Sequence, residues 1–198
     1  MPSVDALSRA LESDAEPALR PLPPVVADML RSLEAPPRLA AHLRAVHDVA
    51  WQLADWVRDR CPDLAFDREA VLFGAATHDI GKTLHPEELS GPGSAHEEAG
   101  RTLLMERGFP AESARFAGTH AAWTRPGVLT EDLLVSTADK VWKDKRVPEL
   151  EDLLVGRLSG ATGRPPWEEY LALDGLLERI GAGAGPRLAF QAAFPVRT

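Results

Sequence analysis

Apolar residues in this sequence recur at steps of three and four, and a convincing alternation of apolar and polar residues is absent. The first spacing places side chains on one face of an α-helix, whereas a half-buried strand needs a period of two. The longest such run follows Pro36 and Pro37, which suit the first turn of a helix. Its apolar members are Leu39, Leu43, Val46, Ala50, Leu53 and Val57. The sequence therefore predicts an all-α fold.

Capping residues divide the middle of the chain into further predicted helices. Asp67 is a good N-cap for "REAVLFGAATHD", which we expect to stop at Gly81. Ser94 and Glu97 have the spacing of a capping box at the start of the next helix. Thr130 is the expected cap of "EDLLVSTADKVWKD", which has two acidic residues in its first turn. These elements predict a single helical bundle.

We divide the chain into three consecutive parts of one domain. Residues 1–30 are expected to form a short helix and a Pro-rich connector, and residues 31–146 the bundle itself. Residues 147–198 carry amphipathic helices that open at Pro148 and Pro166. These C-terminal helices either cover the bundle or provide the face of a homodimer.

The charge of the chain argues against partners that attract basic proteins. Its formal net charge is -8 and its pI is about 5.3, so neither nucleic acid nor a membrane surface is an expected partner. A single cysteine, Cys61, excludes internal disulfides and cysteine-rich zinc sites. The first residues lack the apolar run of a signal peptide, and no segment is long enough to span a bilayer. We expect a cytoplasmic protein.

Six histidines are spread over successive predicted helices. They are His42, His47, His78, His85, His96 and His120. His78 precedes Asp79 at a helix end, where the negative end of the helix dipole favours a cation. Asp139 lies in the apolar stretch "LLVSTADKVW", where an unpaired carboxylate would be costly to bury. Imidazole and carboxylate ligands without thiolates suit iron, manganese, zinc, nickel or cobalt. Facing helices that each supply one or two ligands are a known way to build such a site.

The order of these residues resembles the HD superfamily of metal-dependent phosphohydrolases. "THDIGK" is similar to the central signature of that family, and "TADKVWKDKR" is similar to its closing alanine–aspartate helix. The resemblance covers residues 36–146 and implies that residues 31–146 form an HD-type metal-binding domain. "HEEAG" and a later "TH" resemble the two-metal branch, which includes the YqeK-type dinucleoside tetraphosphate hydrolases. The implied ligands are His42, His78, Asp79, His96, His120 and Asp139.

The first of these ligands is a choice between two histidines on one helix. Five residues turn a helix through about 500°, so the rings of His42 and His47 cannot point the same way. His42 resembles the family pattern because Val46, Ala50 and Leu53 follow it at the usual spacing. We therefore assign His42 as the ligand, and His47 either to the cleft or to the helix surface.

The resemblance implies that metal-activated water hydrolyses a phosphoester or phosphoanhydride. Two divalent ions, drawn from iron, manganese, nickel, cobalt, zinc and magnesium, would bind the phosphate. Asp79 would bridge them, with Lys82 neutralising a phosphate oxygen and His47 as a candidate general acid. The candidate substrate contacts are Lys82, Arg125, Lys143 and Arg146. A small phosphorylated molecule, in particular a nucleotide, is the expected partner.

Two other functions fit a similar set of ligands. Some HD proteins that resemble this chain in their ligands are diiron oxygenases, which would bind iron and take up oxygen. A non-catalytic nucleotide-binding regulatory domain is disfavoured because no ligand of the pattern has been lost. The helical context of Trp123 and Trp142 predicts packing residues rather than platforms for a base.

Overall fold

A computed structural model of the chain describes residues 2–196, in which ten α-helices and no β-strand are found. The predicted all-α fold is confirmed. The helices are α1 (Pro2–Glu12), α2 (Pro24–Ser32), α3 (Pro37–Arg60), α4 (Arg68–Thr77), α5 (Ala95–Glu106), α6 (Ala111–Thr119), α7 (Thr130–Val141), α8 (Pro148–Thr162), α9 (Pro166–Ala182) and α10 (Ala184–Ala192). Two 3₁₀ turns, Ile80–Thr83 and Pro86–Leu89, lie between α4 and α5. None of the described helices has the length and apolar character needed to cross a membrane.

The bundle is organised around α3, which contacts α1, α4, α7 and α10. The apolar residues that predicted this helix are fully buried, including Leu39, Leu43 and Leu53. Several positions between them are alanine, and Ala45 and Ala54 are also fully buried. Because alanine side chains are short, neighbouring helices can approach the α3 backbone closely while still excluding water. Around α3, the helix α7 also contacts α4, and α5 packs on α6.

The N-terminal part of the chain is held to α3 by the buried guanidinium group of Arg44, a residue that is only 2% exposed. This group donates hydrogen bonds of 2.8 to 3.3 Å to four backbone carbonyl oxygens. They belong to Ala10, Ser13, Leu19 and Arg20. Since a buried charge is costly unless its donors are satisfied, these four acceptors make the arginine compatible with the core. The described residues of this segment, 2–30, are thus packed on the bundle, and the connector leads into α2, a helix that the sequence analysis missed.

The C-terminal helices cover the bundle. Helix α8 packs on α7 and α9, α9 also reaches α7, and α10 contacts α3. Helix α10 was not predicted separately. On α9 the side chains of Trp167, Tyr170 and Leu171 remain exposed, and the homodimer stays a prediction.

One predicted cap is confirmed and two are wrong. Asp67 caps α4 by accepting a hydrogen bond from a backbone amide in its first turn. Ser94 makes no capping hydrogen bond, because the carboxylate of Glu88 accepts from the first two amides of α5. Thr130 is the first residue of α7 rather than its cap. The side chain of Asp132 accepts a hydrogen bond from the backbone amide of Leu129, the residue before the helix.

Gly81 is a close-packing residue and not the helix stop that the sequence predicted. Helix α4 ends before it, and Gly81 lies in the first 3₁₀ turn. A Cβ atom built on Gly81 would lie 2.0 Å from the carbonyl oxygen of His96 and 2.6 Å from the amide of Gly100. The turn therefore rests directly on the backbone of α5. This contact places His78 and Asp79, just before the turn, against the beginning of α5.

We expect Gly81→Ala to lower the free energy of unfolding by about 2–3 kcal/mol, because the new methyl group would overlap the backbone of α5. Gly160→Ala is the matched control, since Gly160 lies within α8 and no atom is found within 4 Å of an added Cβ. Alanine there should stabilise the helix by about 0.5–1 kcal/mol. Denaturant unfolding of both variants measures these changes. Equal stability of Gly81→Ala and the unchanged protein would contradict the close contact.

Candidate metal centre

The structure brings the six predicted ligands together in the interior of the bundle. His42 lies on α3, His78 and Asp79 follow α4, and His96 lies in the first turn of α5. The last two residues are His120, directly after α6, and Asp139 on α7. Each of the six is at most 7% exposed. The core of the bundle therefore contains a buried cluster of four imidazoles and two carboxylates.

Asp79 lies between two pairs of histidines, and each pair faces a different oxygen of its carboxylate. Its Oδ2 is 3.1 Å from His42 Nε2 and 3.7 Å from His78 Nε2. Its Oδ1 is 3.1 Å from His96 Nε2 and 3.5 Å from His120 Nε2. A carboxylate arranged in this way can contribute one oxygen to each of two cations.

Asp139 completes the group on the Oδ2 side of Asp79. Its Oδ1 is 3.4 Å from His78 Nε2 and 4.0 Å from His42 Nε2. The cluster contains two sets of three residues whose ligand atoms lie within 4.8 Å of one another. They are His42, His78 and Asp139 in one set and Asp79, His96 and His120 in the other. Either set has the donor number and chemistry to hold a divalent metal ion.

Hydrogen bonds on the outer side of the imidazoles show why a cation fits this cluster. Nδ1 of His78 lies 2.9 Å from the carbonyl oxygen of Ala75, and Nδ1 of His120 lies 3.1 Å from that of Ala117. Because a carbonyl oxygen only accepts, each Nδ1 carries a hydrogen, and Nε2 presents a lone pair to the cluster whenever the ring is neutral. Burial lowers the pKa of His78, but Asp79 and Asp139 raise it by more, so that the net pKa lies above its ordinary value. Burial lowers the pKa of His120 to about 4, which keeps that ring neutral. His96 Nε2 is buried without a hydrogen-bond partner, although it lies beside Asp79.

The two carboxylates remain ionised in this interior. Burial raises the pKa of Asp79, but the imidazoles of His78 and His42 lower it by more, so the net pKa lies well below its ordinary value. Burial likewise raises the pKa of Asp139, while His78 and Lys140 bring it below the ordinary value. Buried negative charge requires positive charge nearby. Lys82 and Lys140 supply part of it at 2.6 Å from the two carboxylates, and a divalent ion held by the imidazoles would supply more.

Glu88 supports the centre, and the sequence analysis did not identify it. One oxygen of its carboxylate accepts a short hydrogen bond from His96 Nδ1 and another from the backbone amide of His96. This contact orients the ring so that Nε2 points towards Asp79, as carboxylate partners of metal-binding histidines commonly do. Glu88 lies in the second 3₁₀ turn, where the sequence showed only a short acidic segment. The contact between this turn and α5 does not follow from any local spacing of residues in the sequence.

Lysines gather around the same centre. Lys82 Nζ lies 2.6 Å from Asp79 Oδ2, and Lys140 Nζ lies 2.6 Å from Asp139 Oδ2. Burial lowers the pKa of Lys143, and the positive charges of Lys140 and Lys82 contribute to that decrease. Only four of the 22 basic residues in the chain are lysines, and all four fall between positions 82 and 145. This clustering of lysines is visible in the sequence. It would have identified Lys140 as a residue near the centre, which the sequence analysis missed.

His47 is not part of the cluster, and its role as a general acid stays a prediction. It lines a separate cavity of about 490 Å³ together with Trp51, Leu72 and Phe73. Burial lowers the pKa of His47 to about 4. The physical reason is the helical turn between positions 42 and 47, which directs the two imidazoles to different sides of α3.

Two arginines predicted to contact substrate are engaged in ion pairs. Arg146 binds the carboxylate of Glu151 through two hydrogen bonds and that of Asp174 through a third, at 2.7 to 2.8 Å. These partners lie on α8 and α9. Arg125 Nη2 lies 3.2 Å from Asp132 Oδ2. Arg125 also lines a cavity next to Trp123.

Comparison with known protein families identifies one match. The model of the HD domain family matches residues 39–143, which is more than half of the chain. The matched range covers α3 except its first two residues, all of α4 to α7, and the six residues of the buried cluster. None of the curated proteins and none of the solved structures gives a match. The relationship to the YqeK-type branch stays a prediction.

We expect Glu88→Ala to weaken metal binding by about 10–100-fold, because His96 would lose the group that orients its ring. Glu87→Ala is the matched control, since the neighbouring Glu87 side chain is exposed and faces His85 rather than His96. Competition with a chromophoric chelator measures the affinity of both variants for Mn²⁺ or Co²⁺. Equal affinities would show that Glu88 has no part in the metal site.

Proposed function

Because this chain belongs to the HD domain family, we propose that it binds two divalent metal ions and hydrolyses a small phosphoester or phosphoanhydride, with a nucleotide as substrate. Membership of the family indicates metal-dependent phosphohydrolase chemistry in general. The position of Asp79 supports two ions in particular, since its oxygens face two separate pairs of imidazoles. That arrangement is the observation on which the proposal rests.

The two ions would be held by different helices. The first would be bound by residues of α3 and α7 and by the end of α4, and the second by α5 and α6, with Asp79 shared between them. The ligands of the first are His42, His78, Asp79 and Asp139, and those of the second are Asp79, His96 and His120. When bound, such ions lower the pKa of water and neutralise charge on phosphate oxygens.

The lysines beside the ligands favour an anionic substrate. The chain carries a formal net charge of -8, so a phosphate needs local positive charge to approach it. Lys82 and Lys140 supply this charge at the carboxylates themselves, and each side chain is less than one-fifth exposed. A partly buried ammonium group interacts with a phosphate oxygen more strongly than a fully solvated one. Lys82 is therefore the candidate for stabilising negative charge in the transition state.

The same lysines favour hydrolysis over the oxygenase alternative. The charged oxygens of a phosphate accept hydrogen bonds from ammonium groups already in the ground state, whereas dioxygen is neutral when it binds. The completeness of both sets of ligands is in turn unfavourable to a non-catalytic regulatory domain. Phosphoester hydrolysis is the function that the site supports best.

A screen for phosphate release tests this function. The purified protein would be incubated with nucleoside mono-, di- and polyphosphates and with phosphoesters that lack a base, each with Mn²⁺, Fe²⁺, Co²⁺, Ni²⁺, Zn²⁺ or Mg²⁺. We expect release that a chelator abolishes and that added metal restores. Iron-dependent uptake of oxygen without any release of phosphate would contradict hydrolysis and favour the oxygenase.

We expect Lys82→Met to lower kcat/KM by about 10²–10³-fold, since it removes a positive charge from the position of the reacting phosphate. The bound metal should be unchanged, because Lys82 offers no lone pair to an ion. Arg179→Met is the control, as it removes one positive charge from an exposed position on α9. Steady-state kinetics and metal analysis of both variants separate the two effects. A kcat/KM like that of the control would exclude a role for Lys82 in the reaction.

A further inference from the structure

We propose that the cavity beside Trp123 binds the nucleoside end of the substrate, with its base stacked on the indole ring of Trp123. The inference rests on the proposed phosphohydrolase function. It assigns a binding site to the nucleoside, which is the part of the substrate that does not react. The cavity has a volume of about 570 Å³, which is sufficient for a nucleoside. Its lining includes Trp123, Arg125, Val128, Glu149, Asp152 and Leu153.

One lysine connects this cavity to the metal centre. Trp123 lies in the connection between α6 and α7, shortly after the ligand His120. Lys140 Nζ lies 5.7 Å from the centroid of the Trp123 ring and 2.6 Å from Asp139 Oδ2. The indole is therefore next to the group of ligands that would hold one ion. A molecule with its phosphate at the ligands has its remaining atoms within reach of Trp123.

The two tryptophans near the centre have different surroundings. Trp142 is 3% exposed and its ring edge contacts His42, so it is the packing residue that the sequence predicted. Trp123 is partly exposed, lines the cavity and lies outside the helices, contrary to the helical context that predicted packing for it. Its indole Nε1 donates a weak hydrogen bond of 3.4 Å to Glu149. This contact places the Nε1 edge of the ring beside Glu149. An aromatic ring held in this way is a suitable surface for stacking a base.

The distribution of charge sets the direction in which a nucleotide would bind. The cavity is lined by the carboxylates of Glu149 and Asp152, and the positive charge of Arg125 is already paired with Asp132. Phosphate is repelled by these carboxylates and attracted to Lys140, which lies near both Trp123 and Asp139. Carboxylates accept hydrogen bonds from ribose hydroxyls and from exocyclic amino groups. The neutral nucleoside therefore fits the cavity and the phosphate fits the metal centre.

Calorimetric titration of the metal-replete protein with adenosine 5′-monophosphate and with ribose 5-phosphate tests the inference. The second ligand has the phosphate and the sugar but no base. We expect Trp123→Ala to weaken binding of the nucleotide by about tenfold or more and to leave the affinity for ribose 5-phosphate unchanged. Trp123→Phe, which keeps an aromatic ring, should retain most of the affinity. Trp167→Ala is the control, since Trp167 is 64% exposed on α9.

Two results would overturn the inference. One is equal affinity of the unchanged protein for the nucleotide and for ribose 5-phosphate, which would show that the base makes no contact. The other is an equal loss of affinity for both ligands in Trp123→Ala, which would point to a general effect of the substitution on the site. Binding does not require turnover. A Trp123-dependent affinity for the nucleotide, found in a protein that hydrolyses no phosphoester, would therefore support the subsite and count against the proposed hydrolysis.

Discussion

Asp79 is a buried carboxylate with two imidazoles beside each of its oxygens, and much of the structure is arranged to make that possible. Such a group is unstable in a protein interior unless a cation lies beside it. Five helices, or the residues that directly follow them, bring the ligands to it, while most of the other buried side chains of these helices are apolar. Small residues in the bundle also help to bring the ligands together. Gly81 and Gly100 let a turn rest on the backbone of α5, and only at that separation do His78, Asp79 and His96 meet.

The charged groups around the centre form an inner layer of ligands and an outer layer of lysines. The inner layer of imidazoles and carboxylates suits metal ions, and hydrogen bonds to carbonyl oxygens and to Glu88 fix the orientation of its rings. The outer layer consists of ammonium groups in a chain that is otherwise acidic and uses arginine almost everywhere else. Lysine presents a compact charge with rotatable donors, which suits a phosphate whose position changes during reaction. Next to this layer lies the cavity of Trp123, which is the proposed binding site for the neutral, aromatic base of the substrate.

The sequence predicted local structure well and contacts between distant segments poorly. The helical period of α3 was readable because one strip of residues repeats along it, and Asp67 was readable because a cap acts within one turn. Ser94 failed as a cap because Glu88 reaches the same amides from another turn, a contact that no local pattern encodes. The six residues of the cluster came from resemblance to a family, whereas their pairing on the two oxygens of Asp79 required the structure. Arg44 satisfies carbonyl oxygens far away along the chain, so its role was equally hidden.

Metal content measured in parallel for the unchanged protein, His120→Ala and Asp79→Ala tests the shared carboxylate most directly. Proteins purified without added metal would be analysed by mass spectrometry of their elements, with circular dichroism to confirm that each is folded. The account predicts about two ions per chain in the unchanged protein, about one in His120→Ala and fewer than one in Asp79→Ala. One ion in the unchanged protein, retained in His120→Ala, would contradict a two-ion centre. Undiminished metal in folded Asp79→Ala would contradict the central place given to this carboxylate.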